Sequence, residues 1–175
     1  MAVVFDATIG GASANSYSSV SDYNQYRENH GFAVRDTADA QVDLIRGTSW
    51  LESNYRAKWL TNEKAEDTQA LHWPQDGAKD ATGEEIDDDV IPDQVKTALW
   101  EYAIRVEAAE QTSLDPVVAG NVKKQELDGL GSQEFFSQSK PGTLPDDFKF
   151  IDTILYGLIS SGSGGMRILR LERVG

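Results

Sequence analysis

The segment over residues 91–112 constrains the fold more than any other part of the chain, because its apolar residues recur with a single helical period. Spacings of three and four residues place these side chains on one face, while the charged residues fall mostly elsewhere. The stripe consists of Val95, Ala98, Leu99, Tyr102, Val106 and Ala109. Pro92 suits the first helical position, and Asp93 places a negative charge at the positive end of the helix dipole. The pattern predicts an amphipathic helix over residues 92–112 that packs on a core.

A short helix is predicted near the N-terminus, over residues 19–30. Ser19 is followed three residues later by Asp22, which resembles a capping box at a helix start. Gly31 then supplies a C-terminal stop, because glycine readily adopts the left-handed conformation that ends many helices. The glycine- and serine-containing stretch before this helix is expected to be an extended arm.

A second, longer helix is predicted over residues 37–57, capped by Asp36 or Thr37. Its apolar residues again follow helical spacing, and its aromatic C-terminal half is expected to meet the central helix. Gly47 lies inside this pattern, where it weakens a helix by about 1 kcal/mol relative to alanine. The same glycine allows another helix to approach closely, so we expect a helix crossing there.

The C-terminal third of the sequence predicts a hairpin and a last helix. An Asp-Gly dipeptide at residues 128–129 separates two short polar and apolar runs, which indicates a small β-hairpin near residues 122–136. Asp146 or Asp147 can cap a last helix over residues 147–160. The whole pattern predicts a mainly α fold, a bundle of about four helices with a small β-hairpin and an extended C-terminal arm.

The helical periodicity disappears over residues 60–90, which predicts a long loop. Trp73 precedes Pro74, and we expect the tryptophan to anchor the loop by inserting into the core rather than to bind a ligand. An acidic run follows, formed by Glu84, Glu85, Asp87, Asp88 and Asp89. Because the spacing of a calcium-binding EF-hand is absent, this run is interpreted as a solvated stretch that leads into the central helix.

Composition excludes several classes of function. The chain of 175 residues has a net charge of −13, so it should repel nucleic acid at long range. It contains no cysteine, which excludes disulfides and thiolate metal sites. No segment is apolar enough to predict a membrane span or a secretory signal, so we expect a protein without a membrane partner.

The sequence gives no indication of catalysis. No phosphate-binding loop, nucleophile elbow or zinc-protease motif is present. The two histidines, His30 and His72, are too few for a histidine-rich metal site, and both are interpreted as surface or packing residues. We therefore expect a protein that is not an enzyme, without catalytic residues, metal or cofactor.

The chain is expected to divide into a helical domain over residues 1–160 and a C-terminal segment over residues 161–175. The latter begins with a Gly/Ser tether and continues into an apolar, arginine-bearing tail. Neither face of this tail would be cleanly apolar in a strand, so it suits a neighbouring molecule better than its own core. The residues predicted to bind a partner are Met166, Arg167, Ile168, Leu169, Arg170, Leu171 and Arg173. A disordered terminus is the alternative.

Several short motifs stand in an order that resembles a known family. They are Ala14-Asn15-Ser16-Tyr17, Ser19-Val20-Ser21-Asp22, Leu44-Ile45-Arg46-Gly47-Thr48, Ala70-Leu71-His72-Trp73-Pro74 and Ile91-Pro92. Together they resemble the head-to-tail connector, or adaptor, proteins of tailed bacteriophages. Relatives of this type are sometimes labelled as DnaT-like single-stranded-DNA-binding proteins.

The resemblance implies a structural role in the neck of the virion, with assembly in the host cytoplasm. It implies a ring of about twelve copies that docks on the portal protein, contacts neighbouring copies of itself and meets a tail-side neck or stopper protein. Double-stranded DNA would pass through this ring without sequence-specific binding. The portal would then accept the C-terminal tail, with an adjacent subunit as the alternative.

The DnaT-like label implies a second function, the binding of single-stranded DNA. A single-strand binder needs a basic groove with exposed aromatic platforms, whereas a conduit for DNA is better served by a wall that does not hold phosphates. The aromatic residues fall mostly on predicted core stripes, and the net charge is −13. Both observations favour the conduit.

Overall fold

The structure, a computed structural model, describes residues 4–61, 63–108, 125–127, 131–133 and 148–160. It contains four helices and one short two-stranded sheet in these parts of the chain. In chain order they are α1 (Val20–Asn29), α2 (Thr37–Tyr55), α3 (Asp93–Ala108), β1 (Gln125–Leu127), β2 (Gly131–Gln133) and α4 (Lys149–Ile154). The mainly α fold predicted from the sequence is confirmed.

The first two helices begin at the caps that the sequence predicts. The Ser19 side chain accepts a hydrogen bond from the backbone N–H of Asp22 at 3.1 Å. The Asp36 side chain accepts one from the backbone N–H of Ala38 at 2.9 Å, which selects Asp36 over Thr37 as the cap of α2. Each cap satisfies a helix donor that would otherwise lack a partner.

The core forms where α2 crosses α3. Gly47 of α2 lies directly against Leu99 of α3, so the absence of a side chain at residue 47 permits the close approach that the sequence predicts. One turn further along, the Trp50 and Tyr102 rings stack with their centroids 4.3 Å apart. The aromatic half of α2 therefore does meet the central helix.

Helix α3 begins one residue later than the sequence predicts. Asp93 is its first residue, and the Pro92 carbonyl accepts hydrogen bonds from the N–H groups of Val95 and Lys96. Proline thus precedes the first turn, and its carbonyl accepts the first helical hydrogen bond. The predicted end, residues 109–112, lies outside the described part of the chain.

The last helix differs most from its prediction, since α4 covers only Lys149–Ile154 rather than residues 147–160. Phe148 occupies the cap position and makes no side-chain capping bond, while the proposed Asp146 and Asp147 caps lie outside the described residues. Gly157 has a φ of 90°, a left-handed conformation that a right-handed helix does not contain. The chain therefore turns after α4.

Beyond this turn, residues 158–160 pair with residues 58–60. The Leu60 N–H donates to the Leu158 carbonyl at 3.0 Å, and the Ser160 N–H donates to the Lys58 carbonyl at 2.7 Å. Leu155 and Leu158, which the sequence places on the stripe of a longer helix, are still buried. The apolar pattern predicted burial correctly, but the helix ends early because backbone pairing with residues 58–60, which follow α2, replaces helical hydrogen bonds.

The predicted hairpin is present as an antiparallel pair of strands. Gln125 faces Gln133 and Leu127 faces Gly131, so a three-residue connection joins β1 to β2. The Asp-Gly dipeptide falls within that connection, outside the described residues.

The long loop between α2 and α3 is anchored by Trp73, as the sequence predicts. Its ring is buried and meets the Trp59 ring edge-on, with centroids 5.6 Å apart. The peptide bond between Trp73 and Pro74 is cis. Ile91 is buried at the other end of the loop, so the loop is fixed to the core at two points.

Candidate functional site

The predicted partner-binding tail, Met166 to Arg173, lies outside the described residues. The structure does describe the point at which the chain leaves the domain. Ser160 is held against the Lys58 carbonyl by its backbone N–H at 2.7 Å and by its hydroxyl at 3.2 Å. Ser160, the last described residue, is therefore fixed beside the segment that follows α2.

Most aromatic rings of the described residues are buried in the core. The buried ones are Tyr17, Tyr23, Trp50, Tyr55, Trp59, Trp73, Tyr102 and Phe148. Among the described residues, only Phe32 and Tyr156 are large aromatic side chains with high exposure, at 43% and 72%. A surface that stacks successive bases needs several exposed rings along one groove, and the described surface offers two such rings on separate elements.

Many cationic side chains are also engaged within the domain. Arg27 is 4% exposed and pairs with Glu107 at 2.5 Å, and Arg35 contacts the same carboxylate at 3.1 Å. Lys64 donates to the Gln69 carbonyl at 2.7 Å. These cations tie loops and helices together, so they are poorly placed to hold phosphates.

Further cations rest on aromatic rings or on nearby carboxylates. The Arg105 guanidinium lies 3.7 Å from the Phe150 ring centroid, and the Lys58 ammonium lies 4.4 Å from that of Tyr55. Lys96 pairs with Asp93, three residues earlier on the same helix. These three cations are therefore also engaged in contacts within the described part of the chain.

One open cleft stands out on the described surface, between the last turns of α2 and the loop before Trp73. It has a volume of about 720 Å³ and is lined by Glu52, Ser53, Arg56, Ala57 and His72. We call it the α2 cleft. Sequence analysis missed it, because residues 52–57 resemble the ordinary polar face of a helix and His72 resembles a packing residue.

A hydrogen-bond network fixes one wall of the α2 cleft. The Glu52 carboxylate accepts from the Tyr17 hydroxyl and, at 3.1 Å, from the His72 backbone N–H. The Trp73 N–H donates to the Tyr17 hydroxyl at 3.4 Å. Burial, followed by the neighbouring Glu52 charge, raises the pKa of Tyr17 well above its usual value, so this hydroxyl stays protonated and donates.

His72 lines the same cleft, and both of its ring nitrogens are shielded from solvent. The residue is 5% exposed, and neither ring nitrogen has a hydrogen-bond partner among the described residues. Burial lowers the pKa of His72, opposed by Glu52 and assisted by the positive charges of Arg56 and Lys64. The imidazole is therefore neutral at neutral pH, with one donor and one acceptor nitrogen.

A second charged feature is the acidic loop, defined as residues 84–89. Its carboxylates belong to Glu84, Glu85, Asp87, Asp88 and Asp89, all of which are exposed. The Asp80 carboxylate shapes the preceding turn by accepting from the N–H groups of Thr82 at 2.8 Å and Glu84 at 3.0 Å. The Thr82 hydroxyl also donates to Asp80 at 2.7 Å, and this bond is the largest cause that lowers the pKa of Asp80.

The acidic loop shows none of the geometry of a metal site. Within the part of the chain that the structure describes, no three acidic or histidine side chains are grouped closely enough to hold a metal ion. The described helices also include none with the length and apolar character needed to cross a membrane.

Comparison with known proteins supplies a family. A family described as "Putative DnaT-like ssDNA binding protein" matches residues 1–174. The chain belongs to this family. No curated protein and no solved structure matches the chain. The family description names single-stranded DNA and does not mention phage connectors, so the resemblance to connectors remains a prediction.

Proposed function

We propose that the chain is a structural connector subunit of a tailed bacteriophage, which docks on the portal and extends the DNA channel towards the tail. The observation that carries this proposal is the burial of the aromatic residues in a domain of strongly acidic character. A conduit must let DNA pass, and a wall that repels phosphates does so without holding the strand.

The arrangement of charge supports the same role. Arg27 and Arg35 share the Glu107 carboxylate, so neither guanidinium is free to hold a phosphate. A protein that binds nucleic acid by releasing counterions needs the opposite arrangement, with arginines and lysines facing the backbone phosphates.

The attachment that we propose uses the tail, with Arg167, Arg170 and Arg173 as its cationic anchors. The fixed position of Ser160 supports this, because it gives the tail a defined root on the domain. The portal is the proposed acceptor. Neighbouring copies would complete a ring of about twelve subunits, and a tail-side neck or stopper protein would bind the ring's other end.

Single-stranded-DNA binding is the second candidate, and the description of the family favours it. On the described surface, binding of a single strand would have to rely on Phe32 and Tyr156, the two exposed aromatic rings. It would also need cations that are not already paired with carboxylates. It therefore predicts that replacing Phe32 and Tyr156 weakens binding to oligonucleotides by about 1–3 kcal/mol per base stack lost.

Two assays on the full-length protein separate the candidates. The first mixes it with purified portal and measures particle size by sedimentation, and we expect a larger complex than portal alone. The second measures retention of a single-stranded oligonucleotide on filters at moderate salt, and we expect none. Tight retention that is lost in a Phe32→Ser/Tyr156→Ser variant, with no portal complex, would establish the DNA-binding candidate instead.

A further inference from the structure

The α2 cleft contains a polar group whose partner is missing from the described domain. His72 is more than nine-tenths buried, and its ring nitrogens make no hydrogen bond to any described residue. A buried donor or acceptor without a partner costs about 1–3 kcal/mol, so such groups usually meet a ligand, a partner or water. Both ring nitrogens are shielded from solvent, but His72 lines the open α2 cleft, so a rotation of the ring on binding would bring a nitrogen to an incoming group.

The charged side chains of the cleft indicate which kind of chemical group would bind there. Arg56 is exposed at its rim, and no described residue forms an ion pair with the Arg56 guanidinium. One oxygen of the neighbouring Glu52 carboxylate already accepts two hydrogen bonds, from the Tyr17 hydroxyl and the His72 N–H. Since a guanidinium binds carboxylates in a forked, two-bond geometry, the group that fits best is a carboxylate.

Such carboxylates are present on the same chain, in the acidic loop. Its five acidic side chains are exposed, and no described cation pairs with any of them. The loop is also held in shape, because the Ile86 N–H donates to the Ala78 carbonyl at 2.8 Å and Ile91 is buried at its end. Five like charges on a fixed loop repel one another, and a cation from another molecule would relieve that repulsion.

We propose that the α2 cleft binds the acidic loop of a second copy of the chain, with a loop carboxylate on Arg56. The two surfaces are different, so the contact is head-to-tail, and repetition of such a contact closes a ring when the rotation between copies permits. The proposal deepens the connector function and rests on it, because it assigns the contact between neighbouring subunits.

A nucleic acid fits the cleft less well than an acidic protein loop. A strand presents a row of phosphates, and a groove that follows it needs a row of cations. The α2 cleft offers one unpaired guanidinium, and the Glu52 carboxylate stands beside it. The net charge of −13 also opposes a second copy, but that repulsion is screened beyond about 8 Å at physiological salt, whereas a direct ion pair is screened less.

Disulfide trapping tests this contact directly, because the chain contains no cysteine of its own. Full-length Ser53→Cys protein, which carries its cysteine at the exposed edge of the α2 cleft and keeps Arg56, is mixed with a size-tagged Asp88→Cys protein under mild oxidation, alone and on portal. A disulfide between the two different variants can only be intermolecular. The matched control mixes the tagged Asp88→Cys protein with Glu28→Cys, which places its cysteine on the exposed face of α1.

We expect the Ser53→Cys and Asp88→Cys mixture to give at least a several-fold higher yield of mixed dimer than the control mixture. Equal yields in both mixtures would overturn the proposal. If Arg56→Glu instead lowers retention of a single-stranded oligonucleotide, the cleft binds phosphate and the proposal is wrong. Portal binding is measured on the same samples, so a connector whose subunits meet elsewhere shows portal complexes without the expected mixed dimer.

Discussion

Gly47 and Leu99 are packed so closely that a methyl group on residue 47 would overlap the Leu99 side chain. This contact sets the separation of α2 and α3, the two longest helices of the described chain. Because the stacked Trp50 and Tyr102 rings lie one turn away, a change in that separation would also disturb their contact in the core.

Replacing Gly47 with alanine should therefore destabilise the domain. Alanine favours a helix by about 1 kcal/mol over glycine, but overpacking a filled core typically costs about 1–3 kcal/mol. We expect a net loss in the free energy of unfolding, measured by urea denaturation. The matched control is Ser49→Ala on the exposed face of α2, which should change stability little. A Gly47→Ala protein more stable than the wild type would show that the helices can separate freely.

Arg27 provides a second test, because it joins α1 to the end of α3 while almost fully buried. Its guanidinium donates to the Ala33 carbonyl at 2.7 Å and to the Tyr23 hydroxyl at 3.0 Å, and it pairs with Glu107 at 2.5 Å. Replacement by alanine leaves these acceptors without their donor, which should cost about 3 kcal/mol of unfolding free energy.

The control for Arg27→Ala is Lys96→Ala, which removes the ion pair with the exposed Asp93. Exposed pairs contribute little, so we expect a loss of less than about 0.5 kcal/mol. Both values come from denaturant titrations at the same pH and salt. Equal losses in the two variants would mean that the buried network of Arg27 does not hold α1 on the domain.

The buried tyrosines predict a loss of stability in alkaline solution. Burial raises the pKa of Tyr23 and of Tyr102 to about 12, and it also raises the pKa of Tyr55, which donates to Asp152 at 2.7 Å. Below about pH 10 both folded and unfolded phenols keep their protons. Above it the unfolded chain releases protons that the folded chain retains, so the free energy of unfolding falls as pH rises.

This prediction is checked by urea denaturation at several values from about pH 8 to about pH 11. The Tyr55→Phe variant should start from a lower stability near neutral pH, because the bond to Asp152 is lost. It should also lose less stability over the alkaline range than the wild type, since one shifted phenol is gone. An identical pH dependence in both proteins would contradict the assigned cause.

The sequence predicted the elements whose determinants are local. The caps at Ser19 and Asp36, the stripe of α3 and the crossing at Gly47 all follow from spacing and side-chain chemistry within one segment. The end of α4 does not follow from local spacing. Gly157 lies against Ala81 and the following residues pair with residues 58–60, and these long-range contacts leave no mark in the local pattern.

The α2 cleft escaped prediction for the same reason. Glu52 and Arg56 are four residues apart, which places them on one face of a helix but does not reveal what faces them. His72 joins them only because Trp73 anchors the loop beside α2 and the Glu52 carboxylate accepts from the His72 backbone. A cleft made by two distant segments requires the fold before it can be recognised.

Removal of residues 161–175 should separate folding from attachment. Ser160 already makes its bonds to the Lys58 carbonyl within the domain, so the truncated protein should keep its unfolding free energy within about 0.5 kcal/mol. It should fail to form the complex with portal in sedimentation, because the arginine-bearing tail is gone. A full-length control with Arg167, Arg170 and Arg173 replaced by glutamine keeps the length and loses the charges, so we expect weakened attachment that depends less on salt. A truncated protein that assembles on portal like the wild type would show that the tail is not the docking arm.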